Sequence, residues 1–170
     1  NNDLKRVLHL NQVPTEFPFN VRNEVNLIPE EVSDKDREGR KDLRDKALIT
    51  IDGVTAKDFD DAIYVEKGPK GFRLWVAIAD VSHYVRPGSY LDDAAFERGT
   101  SVYLPNFVVP MLPEELSNGI CSLKPEVDRL AFVCEMGIGF DGEILDSQVY
   151  EAVMHSQARV TYGEAQSIID

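Results

Sequence analysis

The sequence contains few cysteines and histidines and no long apolar run. Its two cysteines, Cys121 and Cys134, form no CxxC pair, and neither lies near one of the three scattered histidines at metal-ligand spacing. This pattern favours buried reduced thiols over a disulfide or a zinc site, and we assign the histidines no catalytic role. No apolar stretch approaches the roughly 20 residues that cross a bilayer, and no basic-then-apolar leader opens the chain. We therefore predict a cytoplasmic protein with no membrane contact.

The sequence has the composition of a globular protein, with more acidic than basic residues. Hydrophobic residues make up 43% of the 170 residues and charged residues 28%, which is enough apolar material for the core of one domain. The net charge is −12. Because phosphate binding depends on Lys and Arg, this charge argues against a protein that grips nucleic acid with its whole surface. Nucleic acid would have to be held locally, through a metal ion, or by basic modules outside this chain.

The first 46 residues differ in amino-acid composition from the rest. They are polar, are interrupted by prolines, and lead into the charged stretch SDKDREGRKDLRD at residues 33–45. Ser33 is a predicted helix cap, because acidic residues follow it in the first turn and basic residues come later, as the helix dipole favours. The acidic residues are Asp34 and Asp36, and the basic ones are Arg37, Arg40 and Lys41. We interpret residues 1–46 as a partly helical connector whose charged helix is a solvated surface element.

From residue 47 onward the pattern indicates a sheet with helices beside it. ALITID, DAIYVEK and FRLWVAIADVSHYV predict three strands, and the almost wholly apolar third one suits a strand covered on both faces. The dipeptide Asp141-Gly142 between alternating segments predicts a hairpin. Capping pairs at Ser89 and Thr161 predict two helix starts, and the first of these helices should stop at Gly99. The predicted fold class is mixed α/β (α+β), with a central, mostly antiparallel sheet and flanking helices.

Four aspartates lie within ten residues between two of the predicted strands. In ITIDGVTAKDFDDAIYVE they are Asp52, Asp58, Asp60 and Asp61. Carboxylates packed this closely repel one another, so the arrangement is costly unless a cation neutralises it. Oxygen ligands without His or Cys select Mg²⁺, Mn²⁺ or Ca²⁺. Gly53 permits a sharp turn after the first strand, so the loop can fold several carboxylates around one point, and metal-assisted hydrolysis of a phosphodiester fits such a centre best.

Three other interpretations of the acidic segment compete with a metal centre. A solvated turn is the common explanation of an Asp-rich loop, although Phe59 and the flanking apolar strands argue against simple exposure. An EF-hand needs Gly at its sixth position and Glu at its twelfth, and neither Asp52 nor Asp58 as the first residue satisfies this. A phosphatase-type Asp-x-Asp nucleophile at 58–60 should leave an apolar strand directly, whereas three other residues precede it, so it ranks low.

Further segments accompany TIDGVTAKDFDDA along the chain. They are WVAIADVSHYVRPGS, GTSVYLPNFVVPMLPEELSNGICSLKPEVDRLAF and YEAVMHSQARVTY. Together these segments resemble the catalytic domain, called RNB, of the ribonuclease II family of exoribonucleases. The resemblance runs from about Phe17 to the end of the chain, and several separate motifs in the right order argue against chance agreement.

The resemblance implies a processive 3′→5′ exoribonuclease that hydrolyses RNA to nucleoside 5′-monophosphates with Mg²⁺, for which Mn²⁺ is a possible substitute. On this basis Asp52, Asp58 and Asp61 hold the metal. Asp60 belongs to the same metal centre and is the carboxylate most directly required for hydrolysis. Tyr103 in SVYLPN matches the family aromatic that packs on the base near the RNA 3′ end. Without the resemblance, a core tyrosine is the favoured interpretation of that position.

The resemblance also implies parts that this chain does not contain. In the family the channel continues with a further catalytic glutamate, an arginine and another aromatic, and cold-shock and S1 modules flank the catalytic domain and supply positive charge. We expect residues 47–170 to be the N-terminal part of an RNB catalytic domain, truncated at its C-terminus, and residues 1–46 to lead from the upstream RNA-binding modules. The expected partner is the 3′ end of single-stranded RNA. The alternative is a truncated metal-binding fragment with little or no activity of its own. The oligomeric state is not indicated.

Overall fold

A computed structural model describes residues 2–170, and most of its strands belong to one large sheet. The strands are β1 (Lys41–Asp42), β2 (Ile49–Asp52), β3 (Asp61–Gly68), β4 (Gly71–Ala79), β5 (Val102–Leu104), β6 (Phe107–Val109), β7 (Asp128–Gly139), β8 (Ile144–His155) and β9 (Ala158–Thr161). Seven of them form the main sheet in the order β1-β8-β7-β4-β3-β2-β9, and β5 pairs with β6 separately. Only the β1–β8 and β2–β9 pairs within the main sheet are parallel. The predicted mostly antiparallel sheet is therefore confirmed.

The helices of the described residues are short and flank this sheet. They are α1 (Asn2–Leu10), α2 (Phe19–Val25), α3 (Asp34–Arg37), α4 (Val81–Tyr84), α5 (Tyr90–Arg98) and α6 (Tyr162–Ile169), together with a π-helical turn at Leu116–Ile120. Helices α2 and α5 pack together, and Val21 and Leu91 from them share a second core with Val153 of the sheet. In residues 2–170 no helix is long and apolar enough to span a membrane.

The two edges of the main sheet are joined through the chain itself. β1 leads into β2 and β8 leads into β9, and these two segments run in parallel. Their pairing starts with Lys41 opposite Ala152 and ends with Asp52 opposite Thr161. The sheet therefore curls until its edges meet, and the inward side chains of all its strands can pack in one place.

The inner face of the curled sheet carries the main core. Leu48, Trp75, Leu123, Val133 and Met154 belong to it, and each is at most 5% exposed. Burial of this apolar surface is the main favourable contribution to folding, at about 25 cal/mol per Å². The core lies directly behind the loop that carries the acidic residues.

Strand β4 departs from its prediction in two ways. It ends at Ala79, because the following residues VSHY form the one-turn helix α4 and the side chain of Asp80 turns toward Ser82 and Arg40. It is also not covered on both faces within the described residues, since its burial alternates and Phe72 and Ile78 are exposed. The apolar run reflects an outer face that is apolar as well as an inner one.

The predicted turn and capping signals are confirmed. Asp141-Gly142 forms the β7–β8 turn with Gly142 at φ 87°, in the left-handed region that glycine adopts easily. Ser89 caps α5, which stops before Gly99 at φ 72°. Thr161 caps α6 in a capping box with its third helical residue.

The charged connector is confirmed as a capped surface helix, because no residue of α3 is buried, but Arg40 after the helix is not solvated. Ser33 caps α3 in a capping box, and the helix ends at Arg37, two residues before Gly39 at φ 77°. Arg40 and Lys41 therefore lie beyond the helix, but Nε of Arg40 donates to the carbonyl of Asp36 in its last turn at 3.0 Å. The side chain of Arg40 is only 5% exposed, because its Nη2 donates to Oδ2 of Asp80 at 2.6 Å. The solvated interpretation is wrong for this residue, since a partner 40 residues away buries it.

Candidate active site

The four predicted aspartates lie together at one end of the main sheet. Asp52 is the last residue of β2, and Asp61 is the first residue of β3, its antiparallel neighbour. Continuing the register of these strands brings Asp60 level with Asp52. Asp58 lies in the loop that joins the strands. The structure thus brings together the four residues that the sequence singled out, with a sheet behind them.

The carboxylates of this cluster act on one another electrostatically. Burial raises the pKa of Asp52, and the charges of Asp61 and Asp58 raise it further, while Arg159 lowers it. Partial desolvation raises the pKa of Asp60 as well, followed by repulsion from its three acidic neighbours, although its side chain reaches the surface. Repulsion of this kind is relieved by a cation, which stabilises the ionised form of each carboxylate.

The carboxylate oxygens of the cluster are ligands that suit a hard divalent cation, although they are not arranged in this structure as a coordination shell. Within residues 2–170 no group of three or more Asp, Glu, His or Cys side chains is arranged so that it could hold a metal ion. Yet Oδ2 of Asp52 is buried and has no hydrogen-bond partner in the described part of the chain. A buried carboxylate oxygen without a donor is unfavourable, and a cation would satisfy it. Asp60 and Asp61 are exposed, so their side chains have room to rotate toward such an ion.

The loop that carries the aspartates is anchored in the core. Phe59 is 6% exposed, and its backbone N–H donates to Oγ of Ser122 at 3.0 Å while its carbonyl accepts from the N–H of Leu123 at 2.8 Å. Oγ of Ser122 in turn donates to the carbonyl of Lys57 at 2.7 Å. A simple solvated turn is therefore excluded, since the polar side chains flank a buried anchor.

Gly53 does not have the role that the sequence suggested. Its φ is outside the left-handed region, and a Cβ added to it would meet no atom within 4 Å. The turn after β2 therefore does not depend on glycine for its backbone conformation. The position instead leaves open space beside the acidic cluster.

Tyr103 lies on the separate β5–β6 hairpin and not on the main sheet. Its side chain is 70% exposed, and Val108 is its partner across the hairpin. The interpretation as a core tyrosine is therefore wrong, because the hairpin is too small to bury the ring. An exposed ring of this kind is free to stack on a planar group.

Two residues that support the site were missed by sequence reasoning. Ser122 is fully buried and holds the centre of the acidic loop, and Nη2 of Arg159 donates to the carbonyls of Gly53 and Val54 at 2.7 and 2.6 Å. Both are more than 60 residues away from the groups that they contact. No local sequence pattern predicts such contacts, since neither Ser122 nor Arg159 lies in a motif that indicates its distant partner.

The comparisons with known proteins place this chain in one family. The sequence model described as "RNB domain" matches residues 40–170. Among curated relatives, Ribonuclease R of Vibrio parahaemolyticus is 53% identical over 164 residues, which cover 96% of this chain and 20% of the relative. This chain belongs to the RNB domain family. It is similar within that family to ribonuclease R, and it spans about a fifth of the length of that relative.

Solved structures agree with this assignment. A Mycoplasma genitalium RNase R in complex with double-stranded RNA matches with a TM-score of 0.94 and 38% identity, over 98% of this chain and 30% of that one. Yeast Ssd1, described as a pseudonuclease, matches with a TM-score of 0.73 and 18% identity, over 81% of this chain and 17% of that one. The second likeness shows the fold alone. The recognition of the ribonuclease II family from its motifs is confirmed. The segments VDRLAFVCEM and YEAVMHSQARVTY look more like ribonuclease R than ribonuclease II, and the relatives named Ribonuclease R agree with this.

Proposed function

We propose that this chain is the front part of the catalytic domain of a processive 3′→5′ exoribonuclease, whose full-length form hydrolyses RNA to nucleoside 5′-monophosphates in the cytoplasm. The observation that carries the proposal is the placement of four aspartates at one end of the sheet in a chain of the RNB family. The relatives named Ribonuclease R support RNA as the substrate. Because the chain spans only a fifth of such a relative, the activity is proposed for the longer protein.

Mg²⁺ is the proposed cofactor, with Mn²⁺ as a substitute. Asp52, Asp58 and Asp61 would hold the ion, with Asp60 in the same centre, because carboxylate oxygens are its preferred protein ligands. When bound, the ion would polarise the phosphodiester and generate hydroxide from water. The unpartnered Oδ2 of Asp52 supports this assignment. The contribution of the chain is to keep the carboxylates at a strand end that is anchored by Phe59, with Asp60 as the group most directly required for hydrolysis.

The net charge of −12 agrees with local recognition of RNA at its 3′ end. A metal ion held by the carboxylates would offset their repulsion of the RNA phosphates, and Tyr103 would stack on a base whatever the nucleotide. Cold-shock and S1 modules of the longer protein, upstream and downstream of the catalytic domain, would supply the remaining positive charge. Residues 1–46 would connect the catalytic domain to the upstream modules.

A second candidate function belongs to a different class. The chain alone would be a metal-binding fragment with little or no activity, because the further catalytic groups expected for the family are not in it. The intact set of four aspartates favours the enzyme for the longer protein, and the share of 20% of the relative's length favours the fragment for this chain.

A time course on 5′-labelled single-stranded RNA tests the proposal and separates the two candidates. We expect the full-length protein to shorten the RNA stepwise from its 3′ end with Mg²⁺ and to stop with EDTA, because the carboxylates cannot act without the ion. The same assay on this chain measures how much activity remains without the other parts. Internal cuts, or activity that EDTA leaves unchanged, would contradict the proposal for the full-length protein.

Replacing Tyr103 by alanine is expected to change the length of the final oligonucleotide released by the full-length protein. Stacking on a base contributes roughly 1 to 3 kcal/mol. Without this contact the shortened RNA should dissociate sooner, so the final oligonucleotide should contain more nucleotides. Gel analysis of the end products measures the change. Tyr90→Ala is a matched control, because that ring is also exposed, at 54%, but lies on α5. An unchanged product ladder in Tyr103→Ala would remove Tyr103 from the RNA site.

A further inference from the structure

The acidic loop between β2 and β3 is held differently at its two ends. Toward β3, Ser122 and Leu123 fix the backbone of Phe59, and the N–H of Ala79 donates to the carbonyl of Asp60 at 2.9 Å. These contacts come from the core and from the neighbouring strand β4. The end of the loop that precedes β3 is therefore fixed by buried groups whatever happens at the other end.

At the end that follows β2, Ala56 packs against the main core and one side chain supplies the side-chain hydrogen bonds to the turn. Nη2 of Arg159 donates to the carbonyls of Gly53 and Val54, at 2.7 and 2.6 Å. A single backbone bond within this turn accompanies them, from the N–H of Ala56 to the carbonyl of Gly53 at 3.1 Å. Val54 is 76% exposed, so no core contact of its side chain holds the turn in place. The guanidinium also lies 5.5 Å from the ring of Phe59, the anchor of the other end.

Arg159 also lies on the same face of the sheet as Asp52. In the parallel β2–β9 pair Thr50 is opposite Arg159 and Asp52 is opposite Thr161, and alternate residues of a strand share a face. Three buried polar atoms on this face have no hydrogen-bond partner in residues 2–170, and they are Oγ1 of Thr50, Oδ2 of Asp52 and Nε of Arg159.

We infer that Arg159 is a positioning residue, which fixes the turn after β2 and so sets where Asp52 and Asp58 stand relative to each other. This inference rests on the proposed function, because the position of the two carboxylates matters for the cation that they would hold. Arg159 does not touch the reacting atoms in this role. Both bonds come from Nη2, whose two hydrogens are fixed in the guanidinium plane, whereas a lysine ammonium on a flexible stem is not oriented in this way.

Hydrogen–deuterium exchange of the full-length protein tests, without any metal, whether Arg159 fixes the turn after β2. In Arg159→Met we expect the amide of Ala56, whose N–H donates to the carbonyl of Gly53, to exchange at least about tenfold faster because the turn opens locally, and the amides of β7 and β8 to stay unchanged. Arg159→Lys should restore this protection only in part. Arg73→Met is the control, since Arg73 is a partly exposed arginine that pairs with Asp146 away from the loop.

Mn²⁺ binding to the same variants separates positioning from charge by its sign. A residue that acts only through its positive charge would repel the cation, so Arg159→Met would then bind Mn²⁺ more tightly. A positioning residue predicts weaker binding in Arg159→Met despite the lost repulsion, by about 10- to 100-fold, as for other groups that orient metal ligands. Titration calorimetry with Mn²⁺ alone measures this, at a temperature below the unfolding transition of every variant.

The outcomes distinguish this inference from the proposed function. Faster exchange in the turn together with weaker Mn²⁺ binding supports the inference. Unchanged exchange, or Mn²⁺ binding that is unchanged or tighter in Arg159→Met, overturns it while the metal centre stands. If the wild type binds no Mn²⁺, the proposed metal function fails, and the exchange experiment still decides whether Arg159 fixes the turn.

Discussion

Asp60→Asn is expected to lower the rate of RNA hydrolysis by the full-length protein at least about 10³-fold, which corresponds to about 4 kcal/mol of transition-state stabilisation. Asparagine has the shape of aspartate but carries no charge and accepts no proton, so the chemical step should be lost. RNA binding should stay within about twofold, because base stacking and the flanking modules do not depend on this carboxylate. Single-turnover hydrolysis and a filter-binding titration measure the two quantities.

The folding of this variant should not suffer, which makes the result interpretable. Burial and the neighbouring aspartates raise the pKa of Asp60, so without the metal its ionised form costs more in the folded protein than in the unfolded chain, and neutral asparagine removes that cost. We therefore expect metal-free Asp60→Asn to unfold at the same temperature as the wild type or higher. Asp141→Asn is the matched control, since it removes one negative charge from the exposed β7–β8 turn. Loss of RNA binding equal to the loss of rate would refute the assignment of Asp60 to the hydrolytic step.

Arg40→Met is expected to lower the free energy of unfolding by about 3–5 kcal/mol at neutral pH. It leaves the buried carboxylate of Asp80 without its partner, in a pair whose two side chains are each 5% exposed. Burial alone would raise the pKa of Asp80, but hydrogen bonds from Ser82 and Arg40 lower it overall. A lowered pKa means that the pair stabilises the fold at neutral pH and that this contribution is lost as pH falls through that pKa. The difference between variant and wild type should shrink accordingly, as urea unfolding at several pH values will show.

Arg44→Met provides the surface comparison in the same connector. Arg44 and its partner Asp42 are 42% and 55% exposed, and such solvent-screened pairs contribute little to stability. The double variant Arg40→Met with Asp80→Leu should recover part of the loss, because no buried charge remains unpaired. If Arg40→Met costs no more than Arg44→Met, the connector is not fastened by this pair. The pair also bears on the site, since Asp80 follows Ala79, whose N–H holds the carbonyl of Asp60.

Local signals in the sequence were enough to predict many of the turns, helix starts and strands and to identify the acidic residues. The Asp141-Gly142 turn, the caps at Ser33, Ser89 and Thr161, and the mostly antiparallel sheet were all predicted. Each depends on a pattern within a few residues, which the sequence displays directly. The family could also be recognised, because its motifs are continuous stretches of chain.

The predictions that failed concerned contacts between distant segments. Arg40 is buried because it pairs with Asp80, and Asp80 is also the residue that directly follows the end of β4. Tyr103 was favoured as a core residue without the resemblance, because its apolar neighbours in the sequence do not reveal that the hairpin is small and exposed. Gly53 resembled a turn glycine, although its backbone needs no glycine.

By itself the sequence determined the set of four aspartates, their oxygen-only chemistry and the family, because residue type and short spacing carry that information. Only the tertiary structure decided which groups hold the acidic loop. Ser122 and Arg159 reach it from segments that lie 65 and 106 residues along the chain from the carbonyls they bind. Arg159 does so because the sheet curls until β9 lies beside β2, and Ser122 does so because the segment before β7 packs with Phe59 in the main core. Contacts of that kind follow from the packing of the whole core and not from any local pattern.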